Sequence, residues 1–368
     1  MISVFGSKIG TEELEEIRSS LENQWMGIGP KTRKFEDQFA NRLKLPNFTM
    51  VNSGSNALLL AVKILELPPG SEIILPSFTW ISCAHAIILD GHKPVFCDVD
   101  MNSHNITRET VAPHISEKTG AIMAVHYAGK PVRIETLLDF GIPIIEDAAH
   151  AVDSKIGDNY CGSMGDVGIY SFDAIKNLPM PEGGGITGKD PDKMAKTQLL
   201  RYCGIGKSGF EAALNKPNRW WEYNIVDFFP KLNPNDVCAS VGLVQMKKLD
   251  EHQAYRKKIW DFYQVEFKKL DWIATPQDPE EDERHSYFTY CIRLKRGNRD
   301  QFAKYLLGKK IYTTLRYHPL HMNAIYQSDA KLPTTEHLNE TALSLPLHPN
   351  MSESDVQYVV ETATEFAP

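Results

Sequence analysis

The sequence has no closely spaced pair of cysteines and no cluster of histidines, the patterns that are typical of zinc sites and redox disulfides. Its six cysteines stand far apart along the chain, at positions 83, 97, 161, 203, 238 and 291. Such spacing predicts neither a metal site nor a disulfide framework. A reducing cytoplasm is therefore the expected location.

Long apolar runs and an excess of positive charge are also missing. No run approaches the roughly 18 apolar residues of a membrane-spanning helix. The N-terminal segment MISVFGSKIGTEELEEI lacks the basic stretch and apolar core of a secretion signal, so neither a signal nor a membrane span is predicted. The formal net charge of -7 argues against nucleic acid or an anionic membrane as a partner.

Composition and pattern indicate a soluble α/β enzyme. The 368 residues are 42% hydrophobic and 24% charged, which suggests two domains with well-filled cores. In the first two thirds of the chain, short apolar runs alternate with helical patterns, as in a parallel sheet covered by helices. We predict helices over 55–67 and 78–91. Strands are predicted at 48–53, 71–77, 93–100, 120–129, 142–149, 167–172 and 183–188.

A long amphipathic pattern over 236–270 predicts one extended helix, and the polar stretch 275–286 follows it. Polar segments of this kind commonly connect domains. We therefore predict a large domain over 1–245 with a mostly parallel sheet between helices, and a smaller C-terminal α/β domain over 246–368.

Lys176 and Asp147 are the residues that carry the most chemical information. Lys176 lies in SFDAIKNLPMPEGGG, 29 residues after Asp147, which ends the apolar run of IIEDAAHAV. Pyridoxal 5'-phosphate (PLP) requires such a pair, because a lysine amine forms an imine with its aldehyde and a carboxylate keeps its pyridine nitrogen protonated. Taken singly, either residue is more often a solvated surface charge. Further matches along the chain are needed to decide.

The segment NSGSNAL at 52–58 is a candidate phosphate site. Its glycine and small hydroxyl residues stand between a predicted strand and a buried helix, where backbone N–H groups and the positive helix end attract an anion. Ser55 and the Asn56 backbone are the candidate ligands, and Ser171 offers a second hydroxyl. Helix capping and a strand-end turn are the structural alternatives.

Trp80 and His150 are candidates for contacts with the cofactor ring. Trp80 follows a predicted strand, where its flat side chain could stack on a pyridine ring, although a core aromatic is the commoner case. His150 follows Asp147 by three residues and could reach the phenolic oxygen of PLP. A purely structural histidine is the alternative.

Taken in order, the motifs resemble the DegT/DnrJ/StrS family of PLP-dependent nucleotide-sugar aminotransferases, which have fold-type I. The resemblance covers almost the whole chain, and the number of motifs found in the same order argues against a chance match. The motifs are QWMGIGPKTRKFEDQFA, NSGSNAL, GSEIILPSFTWIS, GHKPVFCDVD, VHYAGKP, IEDAAHA, GSMGDVGIYSFDAIKNLPMPEGGG, DVCASVGLVQMKKLDE, RYHPLH and LSLPLHPNMSESDV.

The resemblance implies a role for each cofactor candidate. Lys176 would be the Schiff-base lysine and Asp147 the partner of the pyridine nitrogen. The surrounding candidates would be Trp80 on the ring, His150 near the phenolic oxygen, and Ser55, Asn56 and Ser171 around the phosphate.

The family also implies a homodimer whose active site lies at the subunit interface. A segment before the helix at 236 would reach the partner's phosphate, and here Lys231 and Asn233 match the family pattern. Pro230, Leu232 and Pro234 depart from it, which makes these cross-subunit contacts the least secure part of the resemblance.

Substrate contacts are less well specified. The resemblance places the loop LRYHPLH near the sugar or the donor carboxylate, with Arg316, Tyr317, His318 and His321 as candidates. A basic cluster suits a carboxylate or a diphosphate, and a solvated turn is an equal alternative. Trp25 in the N-terminal motif is a further candidate. The aromatic run at 219–229 is interpreted as interface or core rather than as a ligand platform.

The implied reaction moves an amino group from glutamate to a keto-sugar, nucleotide-linked and of the 4-keto-6-deoxy or 3-keto type. The amino sugar would serve cell-surface polysaccharide or related glycan synthesis. Three alternatives stay open: a sugar dehydratase, another PLP lyase or racemase, and a regulatory protein that binds PLP without turnover. The dehydratase sister group uses histidine in place of the lysine, so Lys176 counts against that alternative.

Overall fold

The computed structural model describes residues 1–206, 221–366 and 368. Its strands are β1 (Thr49–Val51), β2 (Glu72–Pro76), β3 (Lys93–Cys97), β4 (Thr119–Val125), β5 (Ile144–Asp147), β6 (Lys155–Ile156), β7 (Asn159–Tyr160), β8 (Val167–Ser171), β9 (Gly184–Gly188), β10 (Ile273–Ala274), β11 (Glu283–Arg284), β12 (Tyr290–Leu294) and β13 (Ala342–Leu345). Its α-helices are α1 (Thr11–Glu22), α2 (Pro30–Arg42), α3 (Gly54–Ile64), α4 (Ile81–Leu89), α5 (Arg108–Val111), α6 (Glu135–Leu138), α7 (Pro191–Leu200), α8 (Asp236–Phe267), α9 (Arg299–Gly308), α10 (Pro333–Thr341) and α11 (Glu353–Glu365).

The main sheet of the described part of the chain has seven strands in the order β1-β9-β8-β5-β4-β2-β3. Neighbours from β8 to β3 pair in parallel, whereas β9 pairs antiparallel with both β8 and β1. All seven predicted strands occur in this sheet. The predicted α/β class with a mostly parallel sheet is therefore confirmed.

The sheet is covered on both faces, which explains why both alternating sets of residues in its central strands include apolar side chains. Along β2, Ile73 and Leu75 pack in a cluster with α3 and α4, while Ile74 packs in a different cluster on the opposite face. Side chains alternate between faces along a strand, so a doubly covered sheet has apolar residues at successive positions rather than at every second one.

The helix α3 begins at Gly54, one residue before the predicted start. Ser53 is its N-cap, and the Ser53 side chain accepts a hydrogen bond from the backbone N–H of Asn56. The prediction that this helix opens at Ser55 is corrected accordingly, because the capping hydroxyl comes from the preceding serine. Similarly, α4 begins at Ile81 rather than at 78, with Trp80 as its N-cap.

A second sheet, β10-β12-β13, lies in the C-terminal part of the chain and packs against the far end of α8. The 32-residue helix α8 runs without a break through residue 245. The division of the chain near that residue stays a prediction. Among the described residues, no helix combines the length and apolar character that crossing a membrane requires.

Candidate active site

A cavity of about 730 Å³ opens at the carboxyl edge of the main sheet. The strands β5 and β8 end there, together with the N-terminus of α3 and the loop after β2. Ligands of open α/β sheets bind at this edge. The sequence-predicted residues that line the cavity are Ser55, Trp80, Asp147, His150, Ser171, Lys176, Arg316 and Tyr317.

Lys176 lies in the turn after β8, with its Nζ atom 4.9 Å from the centre of the Phe288 ring. Burial, reinforced by the positive charge of Arg316, lowers the pKa of the Lys176 amine to about 8, while Asp147 acts in the opposite direction. Low polarity and a nearby cation both disfavour the ammonium form. Far more of this amine is therefore neutral near neutral pH than in an exposed lysine, and the neutral form can act as a nucleophile or base.

Asp147 ends β5, and each of its carboxylate oxygens accepts one hydrogen bond. The backbone N–H of Ala149 donates to Oδ1 at 2.9 Å, and the thiol of Cys83 donates to Oδ2 at 3.2 Å. A carboxylate oxygen has two acceptor positions, so both oxygens keep one for a further donor. The carboxylate is 5% exposed and lines the cavity, which suits a partner for a buried cationic nitrogen.

The cavity has a phosphate-sized cradle between the start of α3 and the end of β8. A Cβ atom on Gly54 would lie 2.6 Å from the Cβ of Ser171, so glycine allows the two segments to meet. The hydroxyls of Ser55 and Ser82 lie 2.7 Å apart on the same wall. Hydroxyl groups around a helix N-terminus match the acceptor oxygens and charge of a phosphate.

His150 and Tyr317 form an aromatic wall. The His150 ring stacks on Phe288 with centroids 4.1 Å apart, and its Nε2 atom lies 3.1 Å from the Tyr317 hydroxyl. Burial, together with the positive charges of Lys176 and Arg316, holds the pKa of His150 well below its ordinary value. The imidazole is thus neutral, and its Nδ1 atom is buried without a hydrogen-bond partner in the described chain.

Trp80 stands at the mouth of the cavity. Its side chain is 51% exposed, and its ring centroid lies 5.5 Å from that of Tyr317. An exposed indole that lines a cavity is available to cover a planar ligand.

Arg316 is a buried cation that lacks a carboxylate partner in the described residues. Its guanidinium carbon lies 4.7 Å from the Phe288 ring centre and 5.3 Å from that of Phe5. The residue is 4% exposed, and Nη1 has no hydrogen-bond partner within the described residues. Burying an unpaired charge is costly, so an anion in this cavity would be stabilised.

The remaining candidates lie away from this cavity in the single chain. Each of the two C-terminal histidines contacts another side chain of the protein. The Nδ1 atom of His318 lies 3.0 Å from Asn339 Oδ1. The Nδ1 atom of His321 lies 2.7 Å from Ser77 Oγ. Asn56 donates its side-chain amide to Asn52 Oδ1 at 2.8 Å. None of the three lines the cavity.

Trp25, Lys231 and Asn233 lie on other parts of the surface. Trp25 is 58% exposed and donates its indole N–H to the backbone carbonyl of Ile28. Lys231 Nζ lies 5.6 Å from the Tyr202 ring, and the buried Oδ1 of Asn233 has no hydrogen-bond partner in the described chain.

The aromatic run at 219–229 lies partly outside the described residues, which omit 219 and 220. Its described aromatic side chains include Trp221 and Tyr223, both 59% exposed, and Phe228, which is 92% exposed.

Several cavity residues escaped the sequence interpretation. Glu182 was recognisable only as part of a glycine-rich turn, yet burial and nearby Asp173 raise the pKa of its carboxyl group. Ser53 carried the signal of a helix N-cap, which was assigned two residues too late. Asn52, Gly54 and Leu58 lie in the predicted phosphate segment, and the other missed lining residues are Phe5, Thr79, Ser82, Val125, Ala149, Ile169, Asp173, Ile175, Thr314 and Leu315.

The cavity fits PLP on its own chemistry. An amine of lowered pKa, a buried carboxylate with free acceptor positions and a hydroxyl-lined helix N-terminus match the aldehyde, the ring nitrogen and the phosphate of that cofactor.

Comparisons with known proteins agree with this geometry. Residues 7–364 match the DegT/DnrJ/EryC1/StrS aminotransferase family. The dTDP-4-dehydro-2,3,6-trideoxy-D-glucose 4-aminotransferase of Saccharopolyspora spinosa is 37% identical over 98% of this chain and 95% of its own length.

Solved structures give the same result. The aminotransferase TlmJ from Streptoalloteichus hindustanus superposes with a TM-score of 0.93 at 34% identity, over 99% of this chain and 98% of its own. The PLP form of the putative sugar aminotransferase Spr1654 from Streptococcus pneumoniae superposes with a TM-score of 0.90 at 28% identity, over 98% of this chain and 97% of its own. With a family match over nearly its whole length, the chain belongs to the DegT/DnrJ/EryC1/StrS aminotransferase family and is a PLP-dependent aminotransferase.

Proposed function

We propose that this aminotransferase moves the amino group of glutamate to a nucleotide-linked keto-sugar. The observation that carries the proposal is the convergence of Lys176, Asp147 and unpaired Arg316 on one cavity. The first two residues supply the chemistry of amino transfer, and the third supplies a site for the carboxylate of an amino acid donor. The named activity of the Saccharopolyspora spinosa relative supports a sugar as the acceptor.

Lys176 is the proposed covalent anchor and general acid/base. PLP supplies an electron sink that acidifies the carbon next to the transferred nitrogen. The Lys176 amine, whose pKa is lowered to about 8, would accept the proton from the donor carbon and hold it at Nζ for return. In the second half of the reaction the same amine moves a proton in the reverse direction.

Asp147 is the proposed partner of the pyridine nitrogen. Asp147 lines the cavity, and the bonds from Ala149 and Cys83 fix the orientation of its carboxylate. A fixed anion at this point stabilises the positive ring nitrogen, which is what the electron sink requires. Trp80 and neutral His150 also line the cavity, and they would hold the ring face and the phenolic oxygen of the cofactor.

The phosphate is proposed to lie at the start of α3, against Ser55 and Ser171, with the backbone around Asn56 contributing the positive helix end. Lys231 and Asn233 lie outside the cavity of their own chain, so a role at the phosphate requires a second subunit. A homodimer is therefore part of the proposal. The exposed aromatic side chains Trp221, Tyr223 and Phe228 support it, since clustered exposed apolar surface marks interfaces.

Arg316 is the proposed binding group for the donor carboxylate, because a guanidinium can hold a carboxylate through two parallel hydrogen bonds. Tyr317 forms the wall beside it. His318, His321 and Trp25 are proposed to contact the larger sugar substrate, whose nucleotide extends beyond the cavity mouth.

The acceptor ketone is proposed to be at carbon 4 of a 6-deoxy sugar or at carbon 3, and the product amino sugar to enter cell-surface polysaccharide or related glycan synthesis. We also propose a cytoplasmic location, since all six cysteines are free and five of them are buried. Free thiols persist in a reducing compartment.

A substrate panel tests the proposal. The cofactor is first converted to its amino form with glutamate, and 2-oxoglutarate release is measured. Nucleotide-linked 4-keto and 3-keto sugars are then added singly, and return of the aldehyde form is followed by absorbance. We expect one class of keto-sugar to restore the aldehyde form and to leave with a new amine. Release of 2-oxoglutarate without turnover of any keto-sugar would contradict the sugar assignment, and loss of a sugar hydroxyl without amination would indicate a dehydratase.

A further inference from the structure

Cys83 is a fully buried thiol that contacts the proposed partner of the ring nitrogen. It lies in the first turn of α4, where its backbone N–H donates to the Trp80 carbonyl at 3.1 Å. Its side chain donates a hydrogen bond to Asp147 Oδ2 at 3.2 Å. Cys83 does not line the cavity, so it contacts Asp147 from behind.

The surroundings keep this thiol protonated. Thr79 Oγ1 lies 3.3 Å from Cys83 Sγ. Burial raises the pKa of the thiol well above its ordinary value, and the negative charge of Asp147 raises it further. A thiol that stays protonated is a permanent donor to the carboxylate and is protected from thiolate chemistry.

We infer that Cys83 is a positioning residue for Asp147, which rests on the role proposed above for that carboxylate. The Cβ–Cγ torsion of an aspartate is soft, and one hydrogen bond leaves it free to swing. Donors to both oxygens, Ala149 N–H to Oδ1 and Cys83 Sγ–H to Oδ2, fix the carboxylate plane. The carboxylate, which lines the cavity, then presents its remaining acceptor positions in a constant orientation.

Three variants separate this role from simple packing. Cys83→Ala removes the donor, and Cys83→Ser keeps a donor of similar size. Cys161→Ala is the matched control, because Cys161 is equally buried but packs in the cluster around α2 and α8. Thermal unfolding of each protein establishes that it is folded.

The first measurement is the half-reaction with glutamate in the PLP-loaded enzyme. For loss of a hydrogen bond to a charged group, we expect Cys83→Ala to slow the maximal rate about tenfold, with half-saturation by glutamate unchanged. Cys83→Ser should return the rate to within about threefold of wild type, and Cys161→Ala should match wild type. A Cys83→Ser protein as slow as Cys83→Ala would overturn the inference.

A double-mutant cycle tests whether Cys83 acts through Asp147. In an Asp147→Asn background, Cys83→Ala should slow the half-reaction no further, because the carboxylate it orients is gone. An equal further loss in that background would overturn the inference while leaving the role of Asp147 intact. An Asp147→Asn enzyme with the wild-type rate would instead overturn the proposed role of Asp147.

The contact itself is testable without cofactor or turnover. In the cofactor-free protein, the infrared S–H stretch of Cys83 is the band that Cys83→Ala removes. This band should lie at low frequency, since a carboxylate is a strong acceptor. It should move to higher frequency in Asp147→Asn, whose acceptor is uncharged. A band that stays in place would overturn the inference even if Asp147→Asn is inactive.

Discussion

The Nε2 atom of His150 lies 3.1 Å from the hydroxyl of Tyr317, a residue 167 positions further along the chain. The first residue follows β5 of the main sheet, and the second lies between α9 and α10 of the C-terminal part. One wall of the cavity therefore exists only when both parts of the chain are folded together.

Replacing Tyr317 with phenylalanine removes the hydroxyl but keeps the ring beside Trp80. We expect the free energy of unfolding to fall by about 1 kcal/mol and the glutamate half-reaction to slow about fivefold, because one buried hydrogen bond is lost. Denaturant unfolding and rapid-mixing absorbance measure the two effects. Tyr358→Phe is the control, since its hydroxyl bonds to the Lys309 carbonyl on the surface. Equal behaviour of the two variants would argue against a role for the contact.

Lys176→Ala should leave no covalently attached cofactor and no measurable turnover, because no other lysine lines the cavity in the described residues. Borohydride reduction of the PLP-treated protein followed by peptide mass spectrometry provides the test. Lys118→Ala, at an exposed surface position, should be labelled like wild type. Labelled cofactor on another peptide of Lys176→Ala would refute the assignment.

The rate at which cofactor-free protein captures PLP should depend on the pKa of Lys176. The neutral amine is the reactive form, so the rate should rise with pH and level off above about 8. Arg316 contributes to the lowering, and Arg316→Gln should therefore move the profile to higher pH. Stopped-flow absorbance over a pH series measures both curves. A profile that moves to lower pH in the variant would contradict the electrostatic argument.

Arg316→Gln should also raise the glutamate concentration needed for half-saturation by about 10- to 100-fold, through loss of a charge-assisted hydrogen bond. An amine donor without a carboxylate should be affected much less, which makes it the internal control. Arg316→Lys should recover only part of the loss, because lysine lacks the planar fork. Unchanged half-saturation by glutamate would place the carboxylate elsewhere.

Asp236→Ala should cost about 2–4 kcal/mol of unfolding free energy. The Asp236 carboxylate accepts the backbone N–H groups of Gly29, Lys31 and Thr32 and the Thr32 hydroxyl, at 2.7–3.2 Å. Chemical denaturation measures the loss. Asp261→Ala, which removes an exposed ion pair with Lys257, should change stability by less than about 0.5 kcal/mol. Similar losses in both variants would mean that the capping bonds contribute little.

The sequence was sufficient to predict the main sheet because burial on both faces leaves an unmistakable local pattern. The apolar residues of β4 and the paired isoleucines that open β5 are typical of buried parallel strands. The ends of β5 and β8 place Asp147 and Ser171 at one edge of the sheet, which is why these residues and Lys176 meet at one cavity.

What the sequence could not supply are contacts between distant segments. Phe5 from the N-terminus and Arg316 from the C-terminal part meet with their ring and guanidinium 5.3 Å apart, and no local pattern records such a distance. The bond from Cys83 to Asp147 spans 64 positions and was likewise invisible. The helix-opening serine was missed for a different reason, because two serines flank Gly54 and only the backbone geometry shows which one is the cap.

The unbroken α8 helix limits how the protein can admit a bulky sugar. A rod of 32 residues is about 48 Å long, and it contains no proline at which it could bend. Its start is held by the cap from Asn235, while its far end packs against the C-terminal sheet. A clamshell motion pivoting within this rod would have to rupture several backbone hydrogen bonds at once. We therefore expect the sugar to enter and leave through movements of surface segments and of side chains at the rim, such as Trp80. A large rotation of one half of the chain against the other is not needed.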